Sequence, residues 1–485
     1  MPSDQRLTPV RLVDDADPVD PVESPSRRPG RRPARRLLRW AWVPVVVAAA
    51  LVGVQVLLDA RADAADAAIA ALPGAVADVG DELTTLWVAD PAEQPAPLVA
   101  VDGGVLALVR RDATPTLTSR DLDTGEERWA VPLGDAVPDL AQQGVYGLTR
   151  CSPPAGSTET GSLPDVVVCV ASDGYQHLEG DQLHEQPATW SRVTVVDARD
   201  GTVRARHDVD PVRSTAVLED RTVLVRRDAE GGVELVAVDT MSGEERWRHV
   251  VPDAAPAAQR RDGTASGPVA WSAGGGVVVA LTRQHLVGFT AAGESFSPDV
   301  LDDALTSVDG WLVSRAEGGL RRVARAGLPD LVVPGDLARR TVDDGSAPGL
   351  EVSPEATRTS AWDGRTGAAR WTADVRLVGA TRASVLVAEG RLHGVTEDAA
   401  VALDAATGEV LWSTPLPPGD RGAVLTDGPH VLVLSGTDGG TDAIAVLDRR
   451  TGAMVRQVAL PADAVVWPLG DVFLATSPEG YRVLG

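Results

Sequence analysis

The 485-residue sequence contains no lysine and no asparagine, and it has only two isoleucines, three phenylalanines and three tyrosines. These amino acids have AT-rich codons, so their scarcity is typical of a bacterial genome with very high GC content, such as an actinobacterial one. Because all 45 basic residues are arginine, the use of arginine in place of lysine at any position carries no information about function.

Cysteine is limited to Cys151 and Cys169, and the absence of a C-x-x-C spacing argues against a dithiol redox site. The two residues bracket a segment rich in serine, proline and glycine. We predict a disulfide across this segment, with two free thiols as the alternative. The seven histidines are scattered and none stands at the spacing of zinc ligands, so we predict no metal site.

Positive charge is scarce outside the N-terminal segment. Residues 1–42 hold nine arginines and six acidic residues, whereas the remainder holds 36 arginines and 63 acidic residues, a net charge of −27. A surface of this sign repels phosphate groups, so nucleic acid is excluded as a partner.

The N-terminal part of the chain predicts three segments. Residues 1–36 are rich in proline, aspartate and arginine and predict a disordered cytoplasmic tail. Residues 37–58 predict a transmembrane helix, because Trp40 to Leu58 is an uncharged stretch of 19 residues, close to the roughly 20 that cross a bilayer. Residues 59–82 predict an extracytoplasmic stalk, helical at first and broken at Pro73-Gly74.

Seven arginines between Arg27 and Arg39 precede the apolar stretch and predict the orientation. Arginines hold the adjoining end of a membrane helix in the cytoplasm, so the N-terminus would lie inside and everything after Leu58 outside, on a single-pass protein of the cell membrane. The alternative is a signal peptide cleaved at Ala60-Arg61-Ala62.

From residue 83 onward the sequence is dominated by a repeated phrase in which Asp is followed four residues later by Gly, and in the fullest copies a Trp follows after four more. The copies are Asp121/Gly125/Trp129, Asp197/Gly201, Asp239/Gly243/Trp247, Asp363/Gly367/Trp371, Asp404/Gly408/Trp412 and Asp448/Gly452. A seventh copy, around Gly293 and Phe296, has Phe289 in place of the aspartate.

The phrase predicts a hairpin corner. An aspartate at the end of an apolar strand accepts hydrogen bonds from the amides of the turn, and glycine adopts a positive φ without steric cost. The tryptophan then lies on the returning strand, where it buries a wide apolar face against a neighbouring unit. We therefore predict that these residues are structural.

The spacing of the phrase predicts a β-propeller. Most successive copies are 41 to 50 residues apart, and one unit contains four short apolar runs, which is the content of one propeller blade. The longer gap between Gly293 and Gly367 predicts a further blade without the phrase. We predict an all-β fold with eight blades, seven or nine being the alternatives, closed by pairing Leu83 to Ala89 with the last three strands.

The phrase A-x-D-x-x-T-G-x-x-x-W, repeated at this spacing over residues 83–485, resembles the PQQ-like (quinoprotein alcohol dehydrogenase-like) propeller repeat. The quinoprotein dehydrogenases of this family hold a quinone with a Ca²⁺ ion that is bound by Glu, Asn and a carboxylate, and two adjacent cysteines lie over the quinone. For an enzyme of this kind, the resemblance implies the same groups here. This chain has no asparagine and no adjacent cysteines, so we predict no enzyme activity and no cofactor.

The other branch that the chain resembles is the lipoprotein of the outer-membrane protein assembly machinery, a scaffold without enzyme activity. Its lipobox cysteine has no counterpart near the apolar stretch here. The resemblance implies a protein-binding scaffold or sensor at the bacterial cell envelope, with a protein partner on the propeller loops. The alternatives are a cofactor-binding or quinone-dependent oxidoreductase and a binder of cell-wall glycan.

Overall fold

The structure is a computed structural model that describes residues 42–89, 96–101, 103–138, 145–154, 164–179, 182–227, 232–251, 269–273, 276–282, 285–296, 306–308, 311–315, 320–325, 328–379, 384–436, 441–461, 464–477 and 480–485. The predicted tail over residues 1–36, and residues 37–41 of the predicted transmembrane helix, lie outside these ranges.

One α-helix, α1, is described, and it covers Trp42–Ala70. It continues beyond the predicted end at Leu58 through a stretch that contains Asp59, Arg61 and Asp63. No helix within the described ranges has both the length and the apolar character that a membrane crossing requires. The predicted transmembrane helix is therefore not supported. The helix runs through residues 59–70, the part of the stalk that the sequence predicts to be helical, and ends before Pro73-Gly74.

The rest of the described chain is built of short β-strands. The first sixteen are β1 (Thr85–Val88), β2 (Ala96–Val101), β3 (Gly104–Arg111), β4 (Thr114–Asp121), β5 (Glu127–Pro132), β6 (Val145–Gly147), β7 (Arg150–Ser152), β8 (Val166–Ser172), β9 (Tyr175–Glu179), β10 (Gln182–Gln186), β11 (Ser191–Asp197), β12 (Val203–Val209), β13 (Ser214–Val217), β14 (Arg221–Arg227), β15 (Val233–Asp239) and β16 (Glu245–Val251).

Twenty-three further strands follow in the second half of the described chain. They are β17 (Val269–Ala273), β18 (Gly276–Thr282), β19 (His285–Thr290), β20 (Ser295–Phe296), β21 (Thr306–Val308), β22 (Trp311–Arg315), β23 (Leu320–Arg325), β24 (Leu328–Pro334), β25 (Arg339–Asp343), β26 (Leu350–Pro354), β27 (Thr359–Asp363), β28 (Ala369–Ala373), β29 (Ser384–Ala388), β30 (Arg391–Val395), β31 (Ala399–Asp404), β32 (Val410–Pro415), β33 (Asp420–Thr426), β34 (His430–Gly436), β35 (Ala443–Asp448), β36 (Met454–Ala459), β37 (Val465–Leu469), β38 (Val472–Ser477) and β39 (Gly480–Leu484).

These strands form small, mainly antiparallel sheets, most of them made of consecutive strands, as propeller blades are. The four-stranded sheets have the orders β2-β3-β4-β5, β12-β11-β8-β7, β13-β14-β15-β16, β17-β18-β19-β20, β21-β22-β23-β24 and β33-β34-β35-β36. Two three-stranded sheets have the orders β10-β9-β6 and β26-β27-β28. A five-stranded sheet, β25-β29-β30-β31-β32, includes a parallel pairing of β25 with β29.

The predicted closure is confirmed. The first strand pairs with the last in the sheet β1-β39-β38-β37, where Thr85 lies opposite Leu484 and Val88 opposite Arg482. The blade predicted in the gap between Gly293 and Gly367 is also confirmed, because β21 to β24 form a sheet there. The predicted number of eight blades stays a prediction, since β25 belongs by pairing to the sheet that follows it.

Position within a blade explains the sequence patterns. The inner strands lie between neighbouring sheets and are buried on both faces, so that β15 is buried at six successive residues. The outermost strand of the same blade, β16, alternates between exposed and half-buried residues, with Trp247 and His249 turned inward. The tryptophan of the phrase thus stands on the inward face of an outermost strand.

The described part of the chain divides into two units, one that ends at Arg61 and one that begins at Ala62. In the second unit, the amide of Val76 donates to the carbonyl of Thr426 (2.9 Å) and that of Ala77 to Asp471 (3.0 Å). Val76 and Val79 are buried in one apolar cluster with Phe473. Most of the predicted stalk, from residue 62 onward, therefore packs as part of the propeller.

Candidate functional site

Each corner of the repeat is held by its aspartate. In the fullest copy, Oδ1 of Asp404 accepts hydrogen bonds from the amides of Ala406 and Thr407, both at 2.9 Å, and from the hydroxyl of Thr407 at 3.1 Å. Gly408 has a φ of 76° and donates its amide to the carbonyl of Asp404 at 2.8 Å. The motif aspartate is thus a turn acceptor, as the sequence predicts.

In several blades an arginine seven residues after the aspartate binds the other carboxylate oxygen. Arg370 donates to Oδ2 of Asp363 at 2.8 Å, and Arg246 to Oδ2 of Asp239 at 2.5 Å. These arginines, together with the turn amide and hydroxyl, hold the pKa of Asp363 and of Asp239 well below the usual range. Both carboxylates remain ionised at any physiological pH, so neither can act as a general acid.

The tryptophans join one blade to the next. The indole of each donates to a backbone carbonyl of the following corner: Trp87 to Leu122 (2.8 Å), Trp129 to Arg199 (3.1 Å), Trp247 to Ala291 (3.1 Å), Trp371 to Ala405 (2.9 Å) and Trp412 to Arg449 (3.3 Å). The ring lies on the glycine of that corner. A Cβ on Gly408 would stand 2.6 Å from Trp371, so only glycine fits.

The glycines of the first three copies show which side chain each corner receives. A Cβ on Gly125 would stand 2.6 Å from Trp87, and a Cβ on Gly201 would stand 2.7 Å from Trp129. The expected contact with a tryptophan does not hold at Gly243, where the nearest side chain is the imidazole of His207 at 2.8 Å. The reason is that the preceding copy, Asp197/Gly201, has no tryptophan, so a histidine on β12 takes its place.

The corner of Gly367 differs from the expected contact in the same way. The blade before it, β21 to β24, lacks the phrase and supplies Leu331 on β24, which a Cβ on Gly367 would approach to 2.7 Å. The motif glycines nevertheless share one backbone conformation, since φ lies between 71° and 76° at Gly125, Gly201, Gly243, Gly367, Gly408 and Gly452. The corner geometry is therefore constant, whereas the side chain that packs on it varies with the preceding blade.

The blade β33 to β36, which carries the last copy of the phrase and is called the last blade below, departs from this scheme. Arg456 stands four residues after Gly452, where other copies have tryptophan. Its guanidinium donates to the carbonyls of Val79 and Gly80 and to the carboxylate of Asp78. The last blade therefore binds the segment that leads into β1.

A cluster of charged side chains, which sequence reasoning missed, fixes the end of α1 to the same blade. Arg449 has a fully buried side chain and donates to Asp66 (2.6 Å), to Glu389 (2.8 Å) and to the carbonyl of Gly428 (2.8 Å). Arg450 also donates to both carboxylate oxygens of Asp66, at 2.8 and 2.9 Å. We call Asp66, Glu389, Arg449 and Arg450 the clamp.

The backbone around the clamp is shaped to hold it. Glu389 has a φ of 51°, in the left-handed region that residues other than glycine seldom occupy. A Cβ on Gly428 would stand 2.5 Å from the carbonyl oxygen of Asp66, so the end of α1 approaches closely only because residue 428 is glycine. The sequence offered one weak signal, the pair Arg449-Arg450 inside the last corner.

A group of three titratable residues and one buried histidine lie near the clamp. Asp78, Asp427 and His430 offer ligand atoms within 4.8 Å of one another. Nδ1 of His430 lies 2.9 Å from Oδ2 of Asp427, and Arg456 neutralises Asp78, so ordinary hydrogen bonds and an ion pair account for the group. His393 is fully buried, and burial together with the charges of Arg449 and Arg391 lowers its pKa to about 3.

The two cysteines are joined in the structure. Cys151 on β7 lies opposite Cys169 on β8, and their sulfurs form a disulfide. The bond joins the middles of two paired strands, and residues 155–163 between them lie outside the described ranges.

Comparisons with known proteins agree with the architecture. A PQQ-like family model described as outer membrane protein assembly factor BamB matches residues 355–467. No curated protein sequence is significantly similar to the chain. The sequence repeat, the closing sheet and this match over residues 355–467 together support a β-propeller of the PQQ-like class.

Several solved structures resemble the chain at low identity. BamB from Moraxella catarrhalis is 13% identical with a TM-score of 0.39, over 83% of this chain and 99% of that one. The designed protein Ika8 is 15% identical with a TM-score of 0.40, also over 83% and 99%. Quinohemoprotein alcohol dehydrogenase from Comamonas testosteroni is 12% identical with a TM-score of 0.35, over 87% and 81%.

Proposed function

We propose that this propeller is a protein-binding scaffold at the cell envelope, with the propeller outside the cytoplasm. The proposal rests on the structural roles of the repeat residues. Its aspartates hold corners and its tryptophans join blades, which leaves loops and outer strands as the surface that a partner can bind. The description of the matching family model, an assembly factor, is consistent with such a role.

The disulfide supports the extracytoplasmic location. Disulfides persist in oxidising compartments, whereas cytosolic thiols are kept reduced. Thiol trapping in intact cells tests this: Cys151 and Cys169 should react with a maleimide reagent only after a reductant is added. An alkaline phosphatase fused after Gly485 should be active. Reactive thiols together with an inactive fusion would contradict the location.

The donor set argues against quinone chemistry. The quinoprotein dehydrogenases that the chain resembles use asparagine and a carboxylate for Ca²⁺ and two adjacent cysteines over the quinone. The chain has no asparagine, and its two cysteines are 18 residues apart and joined to each other.

Cross-linking in intact cells followed by mass spectrometry tests the scaffold. We expect a discrete protein adduct that recurs with reagents of different length. Purified full-length protein mixed with pyrroloquinoline quinone and Ca²⁺ is the control experiment. A tight redox-active complex, with no adduct in cells, would contradict the proposal.

A further inference from the structure

Two consecutive blades differ from the others at one position of the repeat, the seventh residue after the motif aspartate. We call it the edge position. It is arginine in four copies (Arg128, Arg204, Arg246 and Arg370) but Leu411 on β32 and Val455 on β36. All six residues stand on an outermost strand, which ends its sheet and has no strand on its outer side among the described residues.

In three of the four copies with arginine at the edge position, the arginine forms an ion pair with the motif aspartate. Arg204 binds Asp197, Arg246 binds Asp239 and Arg370 binds Asp363. Each pair places a charged side chain over the edge strand. Charged side chains on an edge discourage pairing with a strand of another chain.

Where the edge position is Leu411, both the arginine and its pairing with the aspartate are lost. Leu411 is 45% exposed and Val455 48% exposed. The described hydrogen bonds to the Asp404 side chain all reach Oδ1, and among the described residues no arginine binds Oδ2. Within the described part of the chain, β32 therefore presents an exposed apolar side chain beside a carboxylate oxygen that has no cationic partner.

An extended polypeptide fits these features. The outer strand offers backbone amide and carbonyl groups to an added strand, which is the mode of β-augmentation. The exposed Leu411 offers an apolar contact, and Oδ2 of Asp404 offers the position that Arg370 fills in the preceding blade. A partner segment with an arginine or lysine next to an apolar residue would supply the missing cation.

We propose, on the basis of the scaffold function, that β32 and the corner of Asp404 form a docking edge for an extended segment of a partner protein. The segment carries a basic residue flanked by apolar residues. β36, with Val455 at the edge position of the next blade, shares only the exposed apolar residue, because the charge of Arg450 lies near its aspartate, Asp448. The acidity of residues 43–485, 63 acidic residues against 36 arginines, favours a basic partner.

Fluorescence anisotropy with the full-length protein tests the edge. The probe is a labelled peptide of the sequence Val-Arg-Val-Ser-Val-Arg-Val-Ser, and its matched control has Glu in place of Arg. We expect the wild type to bind the arginine peptide and not the glutamate peptide. Leu411→Arg, which restores the pair seen at Asp363, should weaken binding about tenfold, a loss of about 1.4 kcal/mol.

A second variant separates the edge from charge alone. Val88→Arg adds the same charge on β1, an outermost strand where Val88 is 63% exposed. It should leave the affinity within about twofold of wild type, a change of under about 0.5 kcal/mol. Equal weakening by both variants, equal binding of both peptides, or no binding by the wild type would overturn the docking edge.

Failure of the edge is distinguishable from failure of the scaffold function. A partner that is cross-linked to the propeller in cells and is unaffected by Leu411→Arg would overturn the docking edge and leave the scaffold function in place. The lack of any partner would overturn both.

Discussion

Blades in the interior of the chain and the blade at its end are joined by different chemistry. Trp371 reaches the next corner with a ring on glycine and one hydrogen bond. At the end of the chain, Arg456 and the clamp bind the segment of residues 62–80 through ion pairs. The interior junctions depend on apolar contact, whereas the last junction depends on charges, one of them fully buried.

This difference follows from the closure of the ring. The sheet that closes the propeller takes β1 from one end of the chain and β37 to β39 from the other. Its outermost strand, β1, is not joined to β39 by a repeat corner, so the closing sheet has no motif glycine on which a tryptophan of the blade β33 to β36 could pack. The N-terminal segment occupies that place, and arginines reach its carbonyls and carboxylates.

Replacement of Trp371 by alanine should give the largest loss of stability. Trp371 is 8% exposed, and truncation of a buried tryptophan costs about 4 kcal/mol because a cavity remains. Urea denaturation followed by circular dichroism measures the loss. Trp467→Ala, at a residue that is 40% exposed, is the control and should cost much less. Equal losses would contradict the role of the ring as a junction.

Asp66→Ala should give the second largest loss and tests the charged junction. It removes one of two carboxylates that bind the buried guanidinium of Arg449, and breaking a buried pair costs about 3 kcal/mol. Asp63→Ala removes an exposed carboxylate from the same helix and is the matched control. If both variants unfold at the same urea concentration, the clamp does not hold the end of α1 to the last blade.

His393 makes the region of the clamp sensitive to acid. Its pKa falls to about 3 in the folded chain, below the usual value near 6.5, so folding favours the neutral ring. This stability is complete above about pH 6.5 and is lost as the pH falls toward 3, at up to about 1.4 kcal/mol per pH unit. His393→Leu should lower the pH dependence of unfolding over that range. An unchanged slope would contradict the burial of a neutral histidine.

Arg370→Leu should have the smallest effect on stability. The pair that Arg370 forms with Asp363 is partly exposed, and exposed ion pairs contribute little. The lowered pKa of Asp363 adds stability that is present above its usual pKa and lost only in strong acid. We therefore expect the same unfolding midpoint as wild type at neutral pH. A large loss would mean that the arginines at the edge position serve stability.

The repeat corners were predictable because their chemistry is local. An aspartate, a threonine and a glycine within five residues specify the turn, and repetition at a fixed spacing specifies the blade. The closing strand was predictable because Trp87 stands in the same context as the other tryptophans. Its indole does bind the next corner, at Leu122. The contact of His207 with Gly243 was not predictable, because it depends on what the preceding blade lacks.

The clamp was not predictable, because its parts are far apart in the chain. Asp66 and Arg449 are 383 residues apart, and the alanine-rich sequence around Asp66 is typical of a spacer. The apolar residues of that segment that are buried, such as Ile69 and Val76, are too few for a periodic pattern.

The docking edge depends on a contrast between two strands of known register, and that contrast can be measured in cells. A photoreactive benzoylphenylalanine at Ser413 on β32 or at Thr372 on β28 occupies equivalent exposed positions, five residues after Gly408 and Gly367. We predict a discrete covalent adduct from position 413 that is absent from position 372 and lost in Leu411→Arg. An adduct of equal yield from both positions, or from neither, would contradict the account.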